Sequence, residues 1–171
     1  MEDKNIYIVQ REIALVVESI KKNSKQGIQT PLEEEPLLNG FIQLSRFLNT
    51  IKVLSEVEFL QPFLAVVRSK NVSGPITVVA LSSLLNFLSS GLIDATHYKV
   101  PVTMESMADA ITETYYVAHR SVAMHPVKGN MVLFKILEVF QNVLHSPMGA
   151  HLTDETVCER LLMTFLKCIF L

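Results

Sequence analysis

Apolar residues recur at intervals of three and four along most of the chain, and no strand-length run of strict alternation occurs. Ile6, Val9, Ile13, Val16 or Val17, and Ile20 define an amphipathic first helix, with Asp3 placed to cap it and Lys21, Lys22 and Lys25 at its carbonyl end. Leu37, Phe41, Leu44, Leu48 and Ile51 mark a second helix. Thr30-Pro31-Leu32-Glu33 has capping-box spacing, but Pro36 follows, so the helix proper is expected to begin between Glu35 and Leu37. A third helix is expected over Phe59 to Arg68, with Pro62 housed in its first turn. Further helices are expected over Met104 to Tyr116, Met131 to Leu144 and Asp154 to Phe170, the last capped by Thr153 after a break at Pro147 and Gly149. His97 to Pro101 and His119 to Asn130 read as loops.

The stretch SGPITVVALSSLLNFLSSGLID, Ser73 to Asp94, needs separate weighing because no charge occurs from Asn71 to Ile93. It has the length of a membrane span but carries, from Ser73 through Ser90, five serines, Thr77, Asn86 and a Gly-Pro. Ile76, Ala80, Leu84 and Phe87 or Leu88 share one face, Ser73 can cap, Pro75 suits the first turn and Gly91 stops the run. It is therefore expected to be a core helix of an all-α domain. The pattern around Val66 to Leu88 recurs some 77 residues later around Val143 to Leu166. That spacing is about twice the length of HEAT or armadillo units, and it suggests stacked antiparallel hairpins of about seven helices. No low-complexity linker divides the chain, so 1–171 is expected to form one helical domain.

Composition narrows the function classes. Of 171 residues, 49% are hydrophobic and 19% charged, and 15 basic against 17 acidic side chains leave a net charge of −2. That balance lacks the basic footprint of a nucleic-acid binder. Cys158 and Cys168 stand about 15 Å apart on one helix, too far to pair, which fits a reducing compartment. The amino terminus carries charges throughout and has no signal-peptide pattern, so a cytoplasmic chain is expected. The mixed charges of the first helix, Lys4, Arg11, Lys21 and Lys22 with Glu2, Asp3, Glu12 and Glu18, describe a solvated face. The alternative for that helix is a membrane-recruitment module.

Bond-making chemistry is not visible. The five histidines make no i, i+4 pair, and His145, His151 and Cys158 lack the closely spaced ligand pairs of structural zinc. No glycine-rich phosphate loop or nucleophile elbow occurs. No catalytic residue, metal or cofactor is implied. Tyr115-Tyr116 fits either an interface or a half-buried helix face.

The wording of several segments points to a family. FLQPFLAVVRS (Phe59 to Ser69) followed by GPITVVALSSLLNFLSSGLID resembles the amino-terminal region of the large guanine nucleotide exchange factors for ADP-ribosylation factor (Arf) GTPases, most closely the Golgi-specific brefeldin-A-resistance factor subfamily. MEDKNIYIVQREIALVV, TPLEEEPLL, MESMADAIT and LFKILEVFQNVLHSPMGAHLTDETVCE are similar as well, in register over nearly the whole chain. That region is the dimerisation and cyclophilin-binding domain, an armadillo-like regulatory unit ahead of the catalytic module. The resemblance implies self-association, packing against the downstream homology box of the same parent, and placement on early Golgi membranes. It names Rab-type GTPases and coat components as partners. The F-R-L-P-G-E loop of the exchange domain is not in this sequence, so no exchange activity is expected of it. Asn86 stands where a basic residue is expected, and Asn130 where the family tends to an acidic loop. These two are the candidate self-association residues, with the family's charges missing from both.

Overall fold

A computed structural model describes residues 2–25, 31–50, 56–93, 96, 99–124, 126–151 and 155–169. Among these there are seven α-helices joined by turns and no strand: α1 (Glu2–Lys25), α2 (Pro31–Thr50), α3 (Glu56–Arg68), α4 (Gly74–Ser89), α5 (Val100–Met124), α6 (Pro126–His145) and α7 (Glu155–Ile169). A short 3₁₀ helix, Pro147–His151, joins the last two.

The helices form two layers. Helices α1, α4 and α6 lie side by side in one, and α2, α3, α5 and α7 in the other. Contacts α1–α2, α3–α4, α5–α6 and α6–α7 join the layers, so successive hairpins stack as in an armadillo- or HEAT-like solenoid. The resemblance between the Val66–Leu88 and Val143–Leu166 segments is not a stacking repeat. Helix α3 lies in the same layer as α7, and α4 in the same layer as α6, so the two segments cross between layers in opposite directions.

Helix α4 is the centre of this arrangement. It carries no charged residue, and it packs on α1, α3 and α6. Ile76, Ala80, Leu81, Leu84, Phe87 and Leu88 are buried, as the sequence pattern requires of a core helix. Among the described residues, no helix is long and apolar enough to cross a membrane. Four phenylalanines knit α2, α3 and α4 together. Phe63 meets Phe41 at 5.1 Å and Phe87 at 5.0 Å, and Phe87 meets Phe59 at 5.2 Å, all edge to face. Such pairs contribute about 0.5–1.5 kcal/mol each beyond their burial. Phe140 stacks on Phe165 at 4.9 Å and fastens α7 to α6. The stripe of α1, Val9, Ile13, Val16 and Ile20, is buried in the same core. A bilayer-inserting helix would need that face free, so the membrane-recruitment alternative loses its apolar surface.

Several boundaries differ from the sequence reading. Helix α1 starts at Glu2, so Asp3 lies within it rather than capping it. Helix α2 starts at Pro31 and runs through Pro36, which forfeits one backbone bond near the amino end, where few bonds exist to lose. Helix α3 starts at Glu56, placing Pro62 in its second turn. Helix α5 begins at Val100, one residue ahead of Pro101 in the expected loop of His97 to Pro101, and continues to Met124; α6 begins at Pro126. The expected loop of His119 to Asn130 is thus helical on both sides of His125. Thr153 and Asp154, the expected start of α7, lie outside the described residues, as do His97, His125 and the side chains of Tyr115, Tyr116, His119 and His151.

Ser73 is the N-cap of α4 by backbone, with φ −69° and ψ 147°, and its carbonyl accepts from the amides of Ile76 and Thr77. Its hydroxyl does not cap; it donates to Asn23 Oδ1 of α1 at 3.1 Å. Gly91, at φ +67°, turns the chain out of α4, a conformation that glycine adopts without strain.

Gly40 sits in the middle of α2, and a Cβ there would stand 3.6 Å from Pro62 Cβ, an ordinary contact. Gly40→Ala should therefore stabilise the fold by about 0.5–1 kcal/mol, read as a higher midpoint in chemical denaturation. An unchanged or lower midpoint would show that the glycine is needed for packing.

Candidate functional site

The most elaborate polar arrangement among the described residues joins α1 to α4. Glu12 lies on the flank of the apolar stripe of α1, between Val9 and Ile13, and is only 4% exposed. A carboxylate so placed must find donors. Asn86 Nδ2 donates to its Oε1 at 2.8 Å, and Ser83 Oγ donates to its Oε2 at 2.9 Å. Arg11 Nη2 and Nε approach Oε1 at 2.8 and 3.1 Å from the solvent side. One negative charge is thus matched by one cation and two neutral donors, and charge-assisted bonds of this kind are the strong ones. Nearer the carboxyl end of α1, Ser73 and Asn23 make a second link, and Asn23 Nδ2 donates on to the Ser19 carbonyl. The two links fix α1 and α4 antiparallel.

Above this clamp lies a shallow groove lined by Leu15, Glu18, Ser19 and Lys22 of α1 and by Val79 and Ser82 of α4. Lys22 Nζ lies 2.8 Å from Glu18, one helical turn back, and its hydrogen bond and charge hold that carboxyl below its usual range. Both side chains are largely exposed, so the pair contributes little to stability.

The sequence reading placed Glu12 with the solvated charges of α1, and the structure corrects that. The available signal was Ser83 and Asn86, polar residues one turn apart on a helix with no charge of its own. Asn86 is engaged with α1 of its own chain, and a basic side chain at that position would meet the Glu12 carboxylate. Asn130 is exposed, within the first two turns of α6. Asn142 Nδ2 reaches Ser89 Oγ at 3.4 Å, which places the carboxyl ends of α6 and α4 together. Asn130 lies twelve residues before Asn142, about 18 Å along the helix. The structure does not bring Asn86 and Asn130 into one site.

Other polar links fasten the second layer. Arg68 Nη2 donates to the Ser106 carbonyl at 2.8 Å, and Thr114 Oγ1 donates to the Val67 carbonyl at 2.6 Å, closing the end of α3 against α5. Arg160 pairs with Asp109 at 2.6 Å and ties α7 to α5. Among the described residues, no group of three His, Cys, Asp or Glu side chains could hold a metal ion. Cys158 and Cys168 both lie on α7, and they are not joined in a disulfide. Burial pushes the Cys168 thiol up to about 11.

At its outer side α7 leaves Leu162, Met163 and Leu166 uncovered, Leu162 at 52% exposure. Leu161 and Thr164 of the same helix are buried inward. Helix α7 therefore presents an apolar strip on the side away from its buried Leu161 and Thr164. On α6, Met131 and Phe134 are exposed one turn apart, Phe134 at 69%.

No family model and no solved structure matches the chain. Curated relatives do. The chain is 35% identical, over 96% of its length, to a Golgi-specific brefeldin A-resistance guanine nucleotide exchange factor 1 homolog of Caenorhabditis elegans, covering 8% of that protein. It is 28% identical over 78% of its length to ARF guanine-nucleotide exchange factor 2 of Saccharomyces cerevisiae, covering 9% of it. To the ARF guanine-nucleotide exchange factor GNOM of Arabidopsis thaliana it is 27% identical over 88% of its length, covering 11%. The chain thus spans about a tenth of the length of the curated relatives it matches.

Two outcomes test this geometry. Glu12→Ala leaves Asn86 without its acceptor and Ser83 with only the Val79 carbonyl, and should cost about 1–3 kcal/mol in denaturant unfolding. Asn86→Asp, which opposes two carboxylates, should destabilise by a similar amount; wild-type stability for either variant would contradict the clamp. At pH 8, where the raised Cys168 pKa leaves little thiolate, its alkylation by iodoacetamide should be roughly a hundredfold slower than that of an unfolded-chain thiol. Mass spectrometry of the labelled α7 peptide reads that rate.

Proposed function

The chain is a relative of the large Arf guanine-nucleotide exchange factors, and on that premise we propose that it is a non-catalytic regulatory and interaction domain of such a factor. In this reading 1–171 forms a single helical unit. Exchange on the Arf GTPase is the work of other parts of the parent, whose F-R-L-P-G-E loop this sequence lacks. The domain contributes self-association, contact with the downstream homology box of the same protein, and recruitment to early Golgi membranes from the cytoplasmic side. Rab-type GTPases and coat components are the further partners of this reading.

The observation that carries it is the uncovered strip of Leu162, Met163 and Leu166. A solenoid extends by adding helices to its ends, and a terminal helix without partners normally turns a polar face outward. Helix α7 turns leucines and a methionine outward. An apolar strip beside Glu155, Glu159 and Lys167, all exposed, has the composition of an interface core with a polar rim. The downstream homology box is the occupant this reading assigns to it. Asn130, exposed on α6, is the better placed of the two candidate self-association residues, since Asn86 is already bound to Glu12.

The test mixes the chain with the segment that follows the matched region in the Caenorhabditis elegans relative and follows binding by isothermal titration calorimetry. A one-to-one complex is expected, and Leu162→Glu with Leu166→Glu should weaken it by at least about tenfold, roughly 1.4 kcal/mol. Both positions are exposed, so circular dichroism should stay that of wild type. Absence of a complex, together with a strictly monomeric chain in sedimentation velocity, would overturn the reading.

A further inference from the structure

Helix α1 is the edge helix of its layer, packed on α2 and α4. On the side away from its buried stripe, Tyr7, Arg11, Ala14, Leu15, Glu18 and Lys22 recur at steps of three and four and form one exposed row about 22 Å long. Tyr7, at 67% exposure, and Leu15 put large apolar groups on an otherwise charged face.

Read in reverse, this row complements itself. Arg11 and Glu18 lie equally far from the midpoint between Ala14 and Leu15, and so do Tyr7 and Lys22. A second α1 laid antiparallel on the first therefore meets Arg11 with Glu18 and Tyr7 with Lys22, each pairing occurring twice, with Ala14 and Leu15 at the crossing. The first pairing joins opposite charges, and the second places an ammonium over an aromatic ring. A parallel pairing would set Arg11, Glu18 and Lys22 each against its own kind, at an electrostatic cost. The bonds to Glu12 use Nε and Nη2 of Arg11 and leave Nη1 for a further acceptor. The Glu18–Lys22 pair is largely exposed and weakly held, so Glu18 can turn to a second cation. Beside the row, the α1–α4 groove of about 390 Å³, lined by Leu15, Val79 and Ser82, has room for Leu15 of a second copy.

We propose that two copies of this chain pair antiparallel through α1, about a two-fold axis at Ala14 and Leu15. Such a pairing uses the same surface on both copies and closes at the dimer. A contact carried mainly by one helix of each copy falls short of the roughly 1,600 Å² buried in a standard stable interface, so the dimer is weak and reversible. The proposal rests on the self-association in the function proposed above, and it assigns that association to α1 rather than to Asn130 or the α7 strip.

The test is sedimentation equilibrium of the intact chain over about 0.01–1 mM, where a monomer–dimer equilibrium with a Kd of about 0.1 mM is expected. That Kd should rise with salt, which screens the two Arg11–Glu18 pairs. Leu15→Glu and Glu18→Arg should each weaken the dimer by at least about tenfold. Both positions are exposed, so circular dichroism should stay that of wild type. Leu162→Glu with Leu166→Glu should leave the Kd unchanged. Orientation is read at Tyr7: Tyr7→Glu, facing Lys22 of the second copy, should dimerise more tightly than Tyr7→Lys, whereas parallel helices would be weakened alike by either. A chain monomeric over the whole range, a dimer indifferent to Leu15→Glu and Glu18→Arg, or equal effects of the two Tyr7 variants would overturn the α1 pairing. A dimer lost only with the α7 variant would also overturn it and leave self-association standing. Binding of the segment from the nematode relative tests the interaction-domain reading separately.

Discussion

A helix without charge has to be surrounded, and the burial of α4 is the constraint from which the rest of this structure follows. Its apolar residues extend over too much of its circumference for one neighbour to cover, so α1, α3 and α6 close around it. The side toward α1 carries Ser83, which also reaches the Val79 carbonyl of its own helix, and Asn86, which needs an acceptor from outside it. Glu12 supplies that acceptor, and Arg11 supplies the charge that makes Glu12 tolerable in its buried place. The clamp fixes which face of α1 meets α4, while the phenylalanines on α2, α3 and α4 fix the opposite side. Directional polar bonds and bulky edge-to-face rings thus divide the work of specifying one packing from a largely aliphatic core.

Stacked hairpins have a consequence that closed bundles lack. Each hairpin of a stack is covered by its neighbouring hairpins, and a helix that lacks a neighbour on one side shows the surface a neighbour would bury. Helix α7 shows this in its leucines, and its attachment to α5 and α6 through Arg160–Asp109 and Phe140–Phe165 leaves the opposite face available. Association through such a face needs no catalytic group. It suits a segment whose relatives are some ten times longer and are named for nucleotide exchange.

Much of this was legible in the sequence. The three-and-four spacing located every helix, and the serines of the Ser73–Asp94 stretch separated a core helix from a membrane span. What escaped was local competition between signals. Pro36 read as a start because proline usually ends helices, yet one missing bond near the amino end of α2 is readily tolerated. Gly129-Asn130 read as a loop, while the real marker was Pro126, a proline at a first helical position. Glu12 was missed for a different reason. A buried charge is identified by its partners, and Ser83 and Asn86 lie some seventy residues away in sequence. Asn86 stood out as a residue without its expected charge, and the fold turns it inward.

The most direct test of an interaction module built on α4 and open at α7 is hydrogen–deuterium exchange on the intact chain, alone and with the segment that follows the matched region in the nematode relative. The account predicts that α4 amides exchange only through global unfolding in both conditions. Those of α7 should exchange much faster in the chain alone and slow markedly when the segment is added. An α7 as protected as α4 in the chain alone, or protection that appears elsewhere while α7 is unaffected, would contradict it.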